Sequence, residues 1–498
     1  MINRRQAIKR IGGIAGAATL SRFLTACSSD DEAPATMVFM MMENRTYDHV
    51  FGARKLQGLG GNGLTAGTTN LDINGTPVAI YEPPLTVEQM CANDPPHGWD
   101  PSRLQWNGGA NDGFLRVHQM AHGGDLALKE PMQYLTRTHQ PVSWALADAY
   151  TTCDKWHAAV LGPTLPNRAY WHCATSLGFD NNDAVLDAFF NGVPVPSIYN
   201  RLNDKGIDWA YYYGSLPVVS LLGNDGPYKV DLGPNDGTGH IRQFTKFSDD
   251  LFDPNGGFFK DAAAGKLPPV VYIDPAFSLN DDHPPAHPLR GQELIAAVYT
   301  ALASSPQWKN CMLVITYDEH GGFYDHVSPG MTEDDTLEVY GVDGFKQLGF
   351  RVPAMVIGPY VKQNYVSEVL YNHTSALKHI ADAFDLAPLT PRMAAAANLM
   401  DCIDTDRMAR GEPSDPITLP SIDFQFTSTD EKTGEIIVDG QSAPWTNACA
   451  ASVGGGFSAK DPISTWADDH PDAFGATDLR RDHQRYLHAI SDYLKRSR

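Results

Sequence analysis

The sequence predicts an α/β chain: a three-layer α/β/α sandwich around a mostly parallel central sheet. Three observations carry that expectation. Four short apolar runs, at 38–42, 270–273, 311–316 and 354–357, are continuous instead of alternating, as strands buried on both faces of a sheet require. Helical periodicity falls between and after them, at 294–302 and 373–384, giving the strand and helix alternation of layered α/β domains. Each run also stops abruptly in turn or polar chemistry, and in such sheets ligands bind beyond the carboxyl ends of the strands.

Taken in order, run 38–42 passes directly into Glu43-Asn44-Arg45 and run 270–273 into Asp274-Pro275. Run 311–316 leads through Tyr317 to Asp318-Glu319-His320, and run 354–357 stops at Gly358-Pro359. If all four run parallel, these ends converge on one edge. Between the first two runs, Gly162 and Pro163 shape a turn, Pro166 suits a first helical position, and 169–177 reads as helix, which leaves Thr164 just ahead of a helix N-terminus. Two Gly-, Pro- and Asn-rich stretches, 58–75 and 223–239, are too long for simple connections and are expected to rim a site or form excursions on the sheet. After about residue 405 the composition shifts to Pro, Ser, Thr and Asp, ending in a helical pattern at 478–495.

Of the 498 residues, 42% are apolar, enough for a large core. Thirty-eight Lys and Arg against 59 Asp and Glu give a net charge of −21, and the basic residues outside the first segment form no run that could track a phosphate backbone. Nucleic acid is therefore not an expected partner, and no obligate protein partner is evident. No apolar stretch of roughly 18 to 20 residues follows the N-terminus, so the body is expected to be soluble. The start itself reads as an export address. Arg4-Arg5 precede a weakly apolar Gly/Ala-rich stretch and then Leu24-Thr25-Ala26-Cys27, a pattern resembling a twin-arginine signal with a lipobox. The expected organisation is a signal peptide at 1–26, a tether at 27–34, a catalytic domain at 35–405 and a C-terminal extension at 406–498. The product would be a periplasmic or surface lipoprotein held to the membrane through lipidated Cys27. The six other cysteines, Cys91, Cys153, Cys173, Cys311, Cys402 and Cys449, permit disulfides in an oxidising compartment, although Cys311 lies in a strand, where a free thiol serves as a small apolar side chain.

Chemistry is concentrated at the strand ends. Glu43-Asn44 and Asp318-Glu319 offer hard oxygen ligands suited to Ca²⁺, Mg²⁺ or Mn²⁺; each pair alone could instead cap a helix or form a salt bridge. Thr164 is either an N-cap residue or, beside a metal, a hydroxyl nucleophile facing an anion at a helix N-terminus. Histidines beside acids or prolines, His97, His283, His287 and His326, are candidate proton donors to a leaving oxygen.

Five strings, in this order, carry a resemblance: Glu43-Asn-Arg-Thr-Tyr-Asp-His-Val-Phe-Gly52, His97-Gly-Trp99, Gly162-Pro-Thr-Leu-Pro-Asn-Arg168, Asp282-His-Pro-Pro285 and Tyr317-Asp-Glu-His-Gly-Gly-Phe-Tyr-Asp-His-Val327. Together they resemble the bacterial phospholipase C and acid phosphatase family of the alkaline-phosphatase-like superfamily. The resemblance implies Thr164 as nucleophile and one divalent metal held by Glu43, Asn44, Thr164, Asp318 and Glu319. It also implies Asn44 and His97 on the phosphoryl oxygens, His97, His283 and His287 near the leaving group, and Asp325 and His326 in support. The substrate class it implies is a phosphate ester, with phospholipid among the candidates. Two rivals are a sulfatase, whose Cys/Ser-x-Pro-x-Arg modification signal is missing at the nucleophile, and a non-catalytic surface lipoprotein that binds a phosphorylated or lipid ligand in the same cleft.

Overall fold

The computed structural model describes residues 35–84, 93–234, 238–244, 257–277 and 279–422, with short pieces elsewhere. The expected signal peptide and tether with Cys27, and also Cys91, Cys449 and most of the expected C-terminal extension, lie outside the described residues.

Eight strands form the central sheet: β1 (Thr36–Met42), β2 (Thr151–Cys153), β3 (Trp209–Tyr213), β4 (Ile241–Gln243), β5 (Val270–Asp274), β6 (Cys311–Tyr317), β7 (Ala354–Ile357) and β8 (Tyr365–Ser367). Their spatial order is β8-β2-β7-β6-β1-β5-β3-β4. Every residue of β1, β5, β6 and β7 is buried, which is why these runs carry no polar alternation. Strand β1 pairs in parallel with both β5 and β6, and its last residue, Met42, lies opposite Tyr317. That register sets Glu43 beside Asp318 and Asn44 beside Glu319 as the two chains leave the sheet.

One expectation fails here. Strand β7 runs antiparallel to both β6 and β2, so Gly358-Pro359 leaves the sheet at the opposite edge. The residues just before β7, Arg351 among them, arrive at the edge carrying the acidic pairs. An apolar run specifies burial but not direction; direction is set by how the connection from Asp318 returns.

Two groups of helices cover the sheet. Helix α1 (Thr164–Cys173) packs against α2 (His373–Phe384), while a second group brings Pro288–Ala303 against Pro141–Ala149 and Gly257–Ala263. Helix α1 is pinned by Trp171, whose ring meets Phe39 of β1 and Tyr272 of β5 edge-on at 6.0 and 5.9 Å, the latter two stacking on each other at 5.4 Å. This helix starts earlier than the sequence suggests, with Thr164 its first residue and Pro166 its third. Pro is tolerated there because the first-turn N–H groups have no intrahelical acceptor. Stretch 58–75 contributes a strand, Thr69–Leu71, to a hairpin and sends Asn62 to the site edge; 223–239 leads to edge strand β4. Cys153, Cys173, Cys311 and Cys402 are buried free thiols, so the disulfides permitted by their number do not form among the described residues. No helix among these residues is long and apolar enough to cross a membrane.

Candidate active site

Glu43 and Asn44 follow β1 directly, and Asn44 takes a left-handed conformation with φ 58°, which Asn tolerates better than most residues. Its backbone N–H donates to Asp318 Oδ1 at 3.0 Å, and Asp318 N–H donates back to Met42 O at 3.0 Å. The two acidic pairs are thus locked by main chain. Gly321 and Gly322, both at positive φ, make this approach sterically accessible: a Cβ on Gly321 would lie 2.3 Å from Asn44 O, and one on Gly322 2.7 Å from Pro95 Cβ.

Thr164 is buried, and its hydroxyl donates to Glu43 Oε2 over 3.5 Å. Pro163 occupies the cap position and Thr164 is already helical, so the hydroxyl is not an N-cap acceptor. The other Glu43 oxygen, Oε1, accepts from Arg168 Nε at 2.9 Å, one helical turn beyond Thr164. Arg168 also donates to Asp274 Oδ1 at 2.8 Å and comes within 3.9 Å of Asp318 Oδ2. Burial opposes its charge, yet Asp274, then Glu43 and Asp318 hold the guanidinium protonated.

Asp318 is pushed up to about 6 by burial first and by Glu319 second. Glu319 moves the other way despite burial, because His97 and His320 stabilise its charge. His320 Nδ1 sits 2.9 Å from Glu319 Oε2, which also accepts from Gly321 N–H, and Nε2 reaches Gln105 Oε1 at 2.7 Å. The clamp leaves Glu319 Oε1 bare. Within Glu43-Asn44 and Asp318-Glu319, three buried oxygens lack any hydrogen-bond partner: Asn44 Oδ1, Asp318 Oδ2 and Glu319 Oε1. Leaving such groups unmatched is costly. Three carboxylates, Glu43, Asp274 and Asp318, also face one guanidinium. Orphaned hard oxygens in a negative pocket fit a divalent cation.

His97 lies against this cluster, its Nε2 3.3 Å from Asn44 Nδ2 and 3.9 Å from Glu319 Oε1. Its Nδ1 is fixed 2.7 Å from Pro95 O. Burial lowers its pKa, but Glu319 and Asp94 outweigh that and raise it to about 9. His283 is the neighbouring ring at 5.6 Å; Nδ1 donates to Pro284 O at 2.6 Å, and buried Nε2 has no partner. Asp94, His97 and His283 lie close enough together to share a cation, a group distinct from the two acidic pairs. His287 is placed differently: it is the N-cap of helix Pro288–Ala303, its Nδ1 accepting from Leu289 N–H at 3.2 Å, and burial with nearby Arg290 holds its pKa near 3. Asp325 and His326 belong to a separate network with Asp48 around Arg351.

The expected site residues apart from His287 and the Asp325–His326 pair are therefore brought into one connected cluster. Arg168, His320, Gln105 and Asp94 were not anticipated in it. Arg168 and His320 lie inside the quoted strings, and their spacing to Thr164 and Glu319 was the available signal; Gln105 carried none.

The sequence model described as the Phosphoesterase family matches residues 35–387. The chain belongs to the phosphoesterase family. This phosphoesterase is 31% identical over 416 residues to non-specific phospholipase C6 of Arabidopsis thaliana, covering 78% of the chain and 75% of that relative. It is 30% identical over 408 residues to phospholipase C A of Mycobacterium tuberculosis, covering 72% and 74%. Among solved structures, a protein in the alkaline phosphatase superfamily from Vibrio parahaemolyticus overlaps 92% of the chain and 97% of its own at 10% identity and a TM-score of 0.35. The phosphoesterase is a phosphoric ester hydrolase of the phospholipase C-like kind.

Proposed function

We propose that this phosphoesterase hydrolyses phosphate esters in two steps through a phosphorylated Thr164, with one hard divalent cation held by Glu43, Asn44, Thr164, Asp318 and Glu319. The observation that carries the reading is the buried Thr164 hydroxyl on Glu43, beside orphaned oxygens of Asn44, Asp318 and Glu319. When bound, the cation supplies a positive charge that favours the ionised nucleophile and polarises the phosphoryl oxygens.

In the first step the Thr164 oxygen forms a bond to phosphorus, and the bond from phosphorus to the ester oxygen breaks. The hydroxyl proton leaves along its hydrogen bond to Glu43. The departing alkoxide takes a proton from His97 Nε2, the ring nitrogen that faces Asn44 and Glu319. Water then attacks phosphorus and the bond from phosphorus to the Thr164 oxygen breaks; the neutral His97 takes a proton from the attacking water, and Glu43 returns its proton to the Thr164 oxygen. Asn44 and His97 steady the phosphoryl oxygens, and Arg168 holds Glu43 in place without touching the reacting atoms. The site is built for phosphoryl oxygens common to monoesters and diesters, with phospholipid a substrate that its relatives' names bring forward. The test is turnover of a chromogenic phosphomonoester and of a phosphocholine diester, each with and without chelator. Chelator should abolish turnover of whichever ester is accepted; chelator-insensitive hydrolysis would refute the metal requirement.

The N-terminal pattern supports export and anchoring at the cell envelope. Cys27→Ala should shift the protein from membrane to soluble fraction, and an intact mass showing an unmodified chain starting well beyond Cys27 would rule anchoring out.

A further inference from the structure

The loops bearing the two acidic pairs are joined by a second buried network. Arg351, wholly buried just before β7, donates Nε to Asp325 Oδ1 at 2.9 Å and Nη2 to Asp48 Oδ1 at 3.0 Å. Its Nη1 donates to Asn62 O and Asp154 O at 2.8 and 3.0 Å. Asp48 lies five residues beyond Glu43, and Asp325 six beyond Glu319. His326 closes the ring, with its N–H and Nδ1 at 2.8 and 2.6 Å from Asp48 Oδ2, and Nε2 at 3.2 Å from Asn62 Oδ1.

Asp48, Asp325 and His326 are near enough to hold a cation, but the arrangement argues against one. The guanidinium already sits between the carboxylates. Each carboxylate oxygen is engaged too: Asp48 Oδ1 by Arg351 and Oδ2 by His326, Asp325 Oδ1 by Arg351 and Val327 N–H, and Oδ2 by Asp48 N–H at 3.4 Å. Further ties cross between the same segments. Arg45 N–H donates to Glu319 O at 3.1 Å, Tyr47 N–H to Arg351 O at 3.1 Å, and Thr46 Oγ1 to Tyr324 O at 2.9 Å.

We propose that Asp48, Asp325 and Arg351, tied in by Thr46, act as a positioning clasp that fixes Glu43-Asn44 relative to Asp318-Glu319 and thereby sets cation affinity and turnover. The inference rests on the metal-dependent reading above. A buried ion pair contributes little net stability over an apolar replacement, whereas ligand sets lose function when displaced by a fraction of an ångström to one ångström. The forked guanidinium matters because a lysine ammonium cannot serve two carboxylates and two carbonyls in fixed directions.

The experiment titrates Mn²⁺ calorimetrically into folded wild type, Arg351→Lys, Thr46→Val and Thr46→Ser, without substrate. It then measures kcat and KM on a chromogenic phosphomonoester at saturating Mn²⁺, at a temperature well below each unfolding midpoint. Arg351→Lys and Thr46→Val should each weaken Mn²⁺ binding and lower kcat by at least about tenfold, with KM within about twofold, and Thr46→Ser should restore both. If Arg351→Lys does not fold, the Thr46 pair decides. Variants that melt earlier but match wild type in Mn²⁺ affinity and kcat overturn the clasp alone. A wild type that neither binds Mn²⁺ nor cleaves the ester overturns the metal-dependent reading, and the clasp with it.

Discussion

Thr164→Val should reduce kcat by several orders of magnitude while leaving the fold intact, and Thr164→Ser should keep measurable activity. Valine preserves the shape at the first position of α1 and removes only the oxygen that would bond phosphorus. The structural cost is small, since the hydroxyl makes one long bond, 3.5 Å, to Glu43, and Glu43 keeps its pairing with Arg168; about 1 kcal/mol is the expected loss. A fall of about 10⁴ in turnover corresponds to about 5.5 kcal/mol of transition-state stabilisation. Serine retains the nucleophile and loses a methyl group that helps to orient it. Vanadate, which adopts a trigonal bipyramid, should bind within bonding distance of the Thr164 oxygen. Near wild-type turnover by Thr164→Val would make water the attacking group and end the covalent scheme.

Asp318→Asn should lose divalent cation binding and turnover together. The amide keeps an acceptor for the Asn44 and Glu319 N–H groups, both of which Asp318 Oδ1 now serves at 3.0 and 2.7 Å, so the fold should survive. What disappears is the charge on Oδ2, one of the three orphaned oxygens. In the wild type the same carboxylate should make binding pH-dependent. Burial and Glu319 raise its pKa to about 6, and a carboxylate must be deprotonated to ligate. Cation affinity should therefore be level above about pH 6 and fall as pH drops below it, by up to about tenfold per pH unit as protons compete. Calorimetric titration across that range checks the slope, which Asp318→Asn should flatten; unchanged affinity in Asp318→Asn would remove Asp318 from the site.

Much of the site is legible because it lies where strands end. Continuous apolar runs at 38–42 and 311–316 suit strands covered on both faces, and acids placed close after them cannot turn inward without a partner. Once β1 and β6 pair in parallel with Met42 opposite Tyr317, Glu43-Asn44 and Asp318-Glu319 must meet. Helix His373–Phe384 is similarly visible in its periodicity over its whole length, and helix Pro288–Ala303 over 294–302. The start of α1 is not, because Pro163 reads as a turn residue and Pro166 as a first helical position, whereas the helix begins at Thr164.

The sequence by itself determined the buried runs, the acids that follow two of them, and the resemblance to the family that the chain belongs to. Tertiary structure alone decided that β7 runs antiparallel and delivers Arg351 to the site edge, that Arg168 balances Glu43, Asp274 and Asp318, and that His287 caps a helix instead of joining the cluster. The physical reason is range. Burial and periodicity are local properties of a few neighbouring residues, whereas the partner of a buried charge is chosen by sheet register and loop return. Arg168 and Asp274 are 106 positions apart, and Arg351 and Asp48 are 303 apart, separations over which no local pattern specifies a contact.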